Sequence, residues 1–120
     1  MLTIKAKLKP APQSNLTANI FLNDATGVYD SSAGIYERVV LLPGSILAKH
    51  DTKGWIYRDL ESLVRSEHVE KIGNQYKVLK PIVGSTSGTA AAVLGEGVVP
   101  NGFDEWKLAT GKSINESGER

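Results

Sequence analysis

The sequence predicts an α+β domain, built as a mostly antiparallel sheet of short strands with two helices at about residues 53–66 and 86–94. Three observations predict this class. Several segments alternate apolar and polar residues or concentrate β-branched and aromatic residues, as strands do. Residues 53–66 carry apolar side chains at helical spacing. Residues 85–94 read STSGTAAAVL, in which capping residues precede strong helix formers.

Composition bounds the kind of protein. The chain has 120 residues, of which 41% are hydrophobic and 22% charged, so we predict one compact globular domain over residues 1–115 and a flexible tail over 116–120. It has no cysteine, which excludes disulfides and thiolate metal sites. A net charge of +1 argues against a strongly basic nucleic-acid coat. The N-terminus lacks an apolar run long enough for a signal peptide or membrane span, so we expect a cytoplasmic location and no membrane partner.

The first half of the chain is predicted to form strands. Residues 2–9 alternate apolar side chains with lysines, which is typical of an edge strand that turns its lysine face to water. A basic ridge that faces phosphates is the alternative interpretation. Further strands are expected at 16–22 and 27–29. Residues 35–48 are predicted to form a hairpin around the turn signal Pro43-Gly44.

The middle of the chain predicts the main amphipathic helix and a second hairpin. Ile56, Leu60, Leu63 and Val64 share one helical face, and Asp51 or Thr52 is a suitable N-cap. On the opposite face, Glu61 and Arg65 have the spacing of an ion pair. Trp55 is interpreted as a core residue in preference to a base-stacking platform. Residues 68–81 then form a hairpin around Gly73-Asn74.

The segment from Ser85 to Trp106 follows as a capped helix, a glycine stop and a turn. Its small residues predict close packing, and Gly88 within the helix suggests a close approach by a neighbour. Gly95 is placed to end the helix in a left-handed conformation. Pro100-Asn101-Gly102 predicts a turn with positive φ, and residues 106–108 a strand after it.

An ordered set of motifs in this region resembles a known family. The set comprises Ser85-x-Ser87, Ala90 to Gly95, Asn101-Gly102, Trp106-Lys107 and Gly111-Lys112, preceded by Val39-x-x-Leu42-x-Gly44-Ser45. It is similar to the restriction-enzyme and adenine-methylase-associated type of small domain and to its relatives of unknown function appended to GIY-YIG-type nucleases. The resemblance covers about residues 26–115. Thr86 stands where that family usually has proline, and Gly88-Thr89 replaces alanines.

The resemblance implies a bacterial, non-catalytic accessory domain that binds DNA, including modified DNA, in a restriction, modification or defence context. A restriction or modification protein would then be its partner. The alternative is a protein-interaction or homodimerisation module that binds no nucleic acid. Its seam would be the lysine-edged first strand or the small-residue helix.

Under the DNA hypothesis, eight residues are candidates for contact. The free N–H groups and hydroxyls at Ser85 and Ser87 could hold a phosphate, and Asn101 could read a base edge. The candidate phosphate neutralisers are Lys49, Lys53, Arg58, Lys107 and Lys112. The alternatives are that the serines only cap the helix, that Asn101 only forms the turn, and that the cations are solvated.

The sequence favours no catalytic site. His50 and His68 are the two histidines, and neither lies in a nucleophile or zinc motif. Residues 84–88 (GSTSG) lack the lysine of a P-loop. We therefore expect no enzyme activity, no metal and no cofactor, although a triad assembled in space would escape this reasoning.

Overall fold

The computed structural model describes residues 7–11, 17–50, 54–95 and 100–118. Within these ranges eight strands form two antiparallel sheets, in the orders β1-β8-β4-β3-β2 and β5-β7-β6. The strands are β1 Lys9–Pro10, β2 Ile20–Leu22, β3 Ala25–Tyr29, β4 Val39–Leu41, β5 Ile46–Leu47, β6 Val69–Ile72, β7 Gln75–Val78 and β8 Ile82–Gly84. The helices are α1 Trp55–Arg65, α2 Thr86–Leu94, α3 Gly102–Glu105 and α4 Ile114–Ser117. The predicted α+β class is confirmed.

Helix α2 joins the two sheets. It contacts β4 and β8 of the larger sheet and β5 of the smaller one. Its alanines are buried, and Ala92 O accepts both the backbone N–H of Ala48, at 3.1 Å, and a hydrogen bond from His50 Nε2, at 3.0 Å. Small side chains permit this approach, because they let the backbone of α2 lie close to its neighbours. Gly88 is also required for close packing, since an added Cβ would lie 3.0 Å from the Trp55 ring.

The predicted hairpin over residues 35–48 is wrong. β4 pairs with β3 and β8, whereas β5 pairs with β7 in the other sheet. The Pro43-Gly44 turn exists, with Gly44 at φ 94°, but it carries the chain from one sheet to the other. The N–H of Gly44 donates to Val78 O at 2.8 Å, and the buried Ser45 hydroxyl donates to Thr26 O. These long-range bonds override the local hairpin signal.

The turn and strand predicted after Pro100 are also wrong. Asn101 has φ −84°, and its side chain accepts a hydrogen bond from the N–H of Phe103, so it caps α3 instead of opening an Asn-Gly turn. Trp106 ends α3 and is fully buried. Lys107 makes isolated antiparallel bridges to Phe21 and Ser113 but belongs to no strand.

Other boundaries differ in smaller ways. Helix α1 begins at Trp55 after Gly54, which offers no side-chain cap, and the proposed caps Asp51 and Thr52 lie outside the described residues. Glu61, which was expected to pair with Arg65, accepts a hydrogen bond from the Tyr76 hydroxyl at 3.2 Å. Gly95 has the predicted positive φ, 119°, but an extended ψ of 177°.

The described ends of the chain form β1 and α4. β1 lies at an edge of the larger sheet, as predicted, and includes Pro10, one residue beyond the predicted strand over 2–9; residues 2–6 of that strand lie outside the described ranges. The hairpin of β6 and β7 forms as predicted. Helix α4 extends through Glu116 and Ser117, which the sequence had assigned to a tail.

Two buried tyrosines differ in hydrogen bonding and give a stability prediction. Tyr29 is 8% exposed, and its hydroxyl has no hydrogen-bonding partner among the residues that the structure describes. The Tyr76 hydroxyl donates to His50 O at 2.9 Å. Removing an unsatisfied buried hydroxyl is neutral or stabilising, whereas removing a satisfied one leaves its acceptor unpaired. Tyr29→Phe should therefore leave the free energy of unfolding unchanged or raise it by up to about 1 kcal/mol.

Tyr76→Phe is the matched control and should lower that free energy by about 1–2 kcal/mol, measured by urea denaturation of both variants. A Tyr29→Phe protein that loses as much stability as Tyr76→Phe would contradict the statement that the Tyr29 hydroxyl is unsatisfied.

Candidate nucleic-acid interface

The candidate interface lies where β8 leaves the larger sheet and enters α2. In the antiparallel ladder Val39 pairs with Gly84, so the next residues, Arg38 and Ser85, lie side by side at the end of the sheet. On the other side of β8, Lys9 pairs with Val83, and the same register carries Lys7 to the level of Ser85. The sheet register thus places a cation on each side of the N-terminus of α2.

A cleft of about 490 Å³ opens beside Arg38. Its lining residues are Ile35, Tyr36, Arg38, Ser85, Thr86, Ser87 and Phe103. The side chains of Ile35 and Tyr36 are 63% and 59% exposed, the largest exposures among the described bulky apolar residues. Phe103 forms a wall and is supported by Tyr29, whose ring packs edge-on at 6.4 Å between centroids. The cleft therefore combines apolar and aromatic walls with one guanidinium and no carboxylate.

Ser85 is the N-cap of α2. Its Oγ accepts a hydrogen bond from the N–H of Gly88 at 2.9 Å, and its carbonyl accepts from the N–H and the hydroxyl of Thr89. The N–H groups of Thr86 and Ser87 precede the first helical hydrogen bond, which runs from Thr89 N to Ser85 O. Capping thus accounts for the Ser85 hydroxyl, whose predicted contact with DNA is untested.

Helix α3 covers the first turn of α2. The Cα of Gly102 lies so close to the Thr86–Ser87 peptide that an added Cβ would be 2.3 Å from the carbonyl carbon of Thr86. The N–H of Gly102 donates to Ser87 Oγ at 3.3 Å, and the Trp106 indole N–H donates to Thr86 O at 3.2 Å. Ser87 nevertheless remains exposed on the cleft side. Its hydroxyl hydrogen is left to donate, because Oγ acts only as an acceptor toward Gly102.

The opposite flank of the α2 N-terminus is less suited to an anion. Lys7 Nζ lies 5.1 Å from the centroid of the Trp55 ring, a cation–π contact. The carboxylate of Asp59 accepts the backbone N–H groups of Lys7 and Leu8 at 2.9 and 3.0 Å. This acid offsets the lysine charge locally, so the cleft on the Arg38 side is the stronger candidate.

The structure does not bring the predicted site residues together. Ser85 and Ser87 line the cleft, whereas Asn101 caps α3 and Lys53 lies outside the described residues. Arg58 is exposed on α1. Lys49 lines a separate pocket of about 150 Å³ together with His50, Lys71, Gly73, Asn74 and Tyr76.

The last two predicted phosphate neutralisers, Lys107 and Lys112, both lie near the carboxylate of Glu116. Lys107 Nζ donates to Asp104 O at 2.8 Å. Hydrogen bonds from Ser113 hold the pKa of the Glu116 carboxyl below its usual range; the bond from the backbone N–H has the larger effect and the side chain the smaller one. The two lysines add to this effect. Conversely, the ionised Glu116 reduces the positive potential that Lys107 and Lys112 would offer a phosphate.

Sequence reasoning missed the residues that complete the cleft. Arg38, Tyr36 and Ile35 were assigned to the first strand of the predicted hairpin over 35–48, and Phe103 was given no functional role. One available signal was the run Ile35-Tyr36-Glu37-Arg38, which does not alternate apolar and polar residues as a half-buried strand would. The contribution of Phe103 had no local signal, because it depends on α3.

Neither histidine lies in a recognisable catalytic arrangement. His50 is 3% exposed, and because Ala92 O can only accept, His50 Nε2 must donate to it. His68 Nδ1 lies 2.8 Å from Ser66 Oγ and 3.1 Å from Ser66 O. Ser66 Oγ also lies 3.1 Å from Leu63 O.

Comparison with known proteins identifies no relative: no family model, curated protein or solved structure matches the chain. Among the described residues no group of three or more His, Cys, Asp or Glu side chains is arranged to hold a metal ion. None of the helices within the described ranges has the length and apolarity needed to cross a membrane.

The contact between Gly102 and α2 gives a second prediction. Gly102→Ala should lower the free energy of unfolding by about 1–3 kcal/mol or more, because its Cβ would strike backbone atoms that cannot move independently. The control is Gly34→Ala, where a Cβ meets nothing within 4 Å and the expected change is within about 0.5 kcal/mol. Urea denaturation measures both. Equal stabilities for the two variants would contradict the close contact.

The Ser113–Glu116 capping box gives a third prediction. Ser113→Ala should raise the pKa of the Glu116 carboxyl part of the way toward its ordinary value of 4.5, because the backbone N–H of Ser113, the larger cause of the lowered pKa, is kept and only the hydroxyl is lost. A depressed carboxyl pKa stabilises the folded state above the unfolded pKa, and that contribution disappears as the pH falls through the folded pKa. Carbon-detected NMR titration of the side-chain carboxyls measures the shift.

Asp30 is the internal control, since its pKa is lowered by the Ser32 hydroxyl and N–H instead. Its titration should be the same in the wild-type and Ser113→Ala proteins. An unchanged Glu116 titration would show that the Ser113 hydroxyl does not stabilise this carboxylate.

Proposed function

We propose that this domain is a non-catalytic accessory module that binds DNA through the cleft between the 30–38 loop and the first turn of α2. The observation that carries the proposal is the convergence of Arg38 and the exposed Tyr36 on the N-terminus of α2. Such a site offers both a cation for a phosphate and an aromatic face for a base. The resemblance of its motifs to restriction-enzyme and adenine-methylase-associated domains supports the same function.

Phosphate binding would depend on Arg38. Its guanidinium presents several N–H donors in a planar fork that fits phosphate oxygens, and its Nε already donates to Ala33 O at 3.4 Å, which limits its motion. The N-terminal turn of α2 adds a partial positive charge and the Ser87 hydroxyl to the same cleft. The neighbouring Glu37 is paired with Lys9 at 2.9 Å, so it opposes an anion less than a free carboxylate would.

The charge of the whole chain sets the expected strength of binding. A net charge of +1 provides little long-range attraction, so affinity must come from contacts made within the cleft. We therefore expect one or two phosphate contacts and a modest affinity. This suits a domain that works beside a DNA-modifying or DNA-cleaving partner in a bacterial cytoplasm, as the resemblance implies.

The test is a fluorescence-anisotropy titration of labelled DNA at several salt concentrations. Arg38→Ala should weaken binding and reduce the slope of log K against log salt by about 0.7–0.9, the loss of one phosphate contact. Arg58→Ala is the matched control, because it removes the same charge from an exposed position that does not line the cleft. Arg38→Lys should recover part of the affinity, since it keeps the charge without the planar fork.

Two outcomes would overturn this function. One is the absence of binding by the wild-type protein to single-stranded or duplex DNA at low salt. The other is an equal loss of affinity in Arg58→Ala and Arg38→Ala, which would indicate charge alone and not the cleft.

A second candidate function, protein interaction, is favoured by a different surface. Ile72 and Leu79 are 48% and 40% exposed, and β6 is an edge strand of the smaller sheet. Exposed apolar residues beside an unpaired strand edge are typical of surfaces that receive another protein. Self-association measured by sedimentation equilibrium and abolished by Ile72→Lys, together with no DNA binding, would favour this function.

A further inference from the structure

We infer that the cleft accepts a nucleotide of an unpaired strand, with its base stacked on Tyr36 and its phosphate at Arg38, and that intact duplex is not its ligand. The inference rests on the proposed function, and it specifies the substrate class of the same site.

The shape of the site favours an unpaired nucleotide. At about 490 Å³ the cleft falls within the 300–1,000 Å³ range of pockets that enclose small organic ligands, a class that includes a nucleotide. Bases in a duplex are stacked and paired, and they reach a concave site only when they are turned out of the helix. A single strand presents its bases without that penalty.

The presentation of Tyr36 also favours stacking. Its loop is braced by backbone hydrogen bonds from Asp30 N to Arg38 O at 2.9 Å and from Glu37 N to Gly34 O at 2.8 Å. Asp30 further accepts from the Ser32 N–H and hydroxyl at 2.9 and 2.6 Å. An exposed aromatic ring on a braced loop loses little conformational entropy when a base stacks on it. Stacking on aromatic side chains is also the usual way in which proteins hold single strands.

The distribution of charge argues against duplex as the ligand. Binding to a duplex backbone requires several cations in register along one face. Three of the described cations instead lie beside acids: Lys9 is paired with Glu37, and Lys107 and Lys112 lie near Glu116. Arg38 is the one charged residue that lines the cleft. One phosphate contact beside a stacking surface matches a single nucleotide of a flexible strand.

The test compares three ligands at one low salt concentration: a fluorescein-labelled oligothymidylate, a duplex of equal length, and free thymidine monophosphate as a competitor. The wild-type protein should bind the single strand more tightly than the duplex. Tyr36→Ala should weaken single-strand binding by about 5- to 150-fold, the range found when a stacking aromatic is truncated. Tyr36→Phe should retain most of the affinity, because the ring is kept.

Phe21→Ala is the matched control. Phe21 is a partly exposed aromatic residue, 38% accessible, on β2 and outside the cleft, so its truncation should leave single-strand binding unchanged. Circular dichroism of each variant confirms that the fold is retained before affinities are compared.

Each contrary result overturns a separate statement. Equal affinity for duplex and single strand, or an unchanged affinity in Tyr36→Ala while Arg38→Ala still weakens binding, rejects the unpaired nucleotide but leaves DNA binding in place. If free thymidine monophosphate competes as well as the strand does at equal nucleotide concentration, the ligand is a free nucleotide, and the proposal of a single-stranded ligand is rejected. Absence of binding to every DNA rejects the proposed function together with this inference.

Discussion

The Thr86–Ser87 peptide is the point on which the rest of this structure depends. Gly102 lies directly against it, where no larger residue fits, and the indole N–H of Trp106 donates to its carbonyl oxygen. Trp106 also donates to the Thr89 hydroxyl at 3.2 Å, so one buried indole N–H contacts two residues in the first turn of α2. These contacts hold α3 across the start of α2. Helix α2 in turn touches strands of both sheets.

The same contacts build one wall of the cleft. Phe103 lines the cleft and follows Gly102 directly in the chain. The tight packing of Gly102 against α2 therefore fixes the position of Phe103. The opposite wall, with Arg38 and Tyr36, is placed by the pairing of β4 with β8. A shift of that pairing by one residue would turn the Arg38 side chain to the other face of the sheet. The shape of the cleft is therefore a consequence of core packing and strand register together.

Local signals in the sequence were sufficient for some elements and insufficient for others. Helix α2, its serine cap and the β6–β7 hairpin form where capping residues, small residues and a two-residue turn predicted them. The segment 35–48 failed because its two halves find partners in different sheets, which no local pattern encodes. The cleft was only half predicted, since Ser85 and Ser87 carry a capping signal whereas Arg38 gains its position from the distant strand β8. A list of lysines and arginines also cannot show which ones lie beside Glu37, Asp59 or Glu116.

A single cation beside an aromatic surface limits how this domain can act under the proposed function. When one or two phosphates are neutralised, log K for binding falls with log salt concentration with a slope of only about −0.7 to −1.8. Counterion release therefore contributes little to the affinity. The remainder must come from stacking, and the total is modest for an isolated domain. Attachment to a second DNA-binding unit raises the local concentration of DNA at the cleft and increases overall affinity by about 10² to 10⁴ without any new contact. Under the proposed function, a weak, stacking-dependent cleft would therefore be most effective in an accessory domain, where a partner would bring the DNA and the cleft would test whether a strand is unpaired.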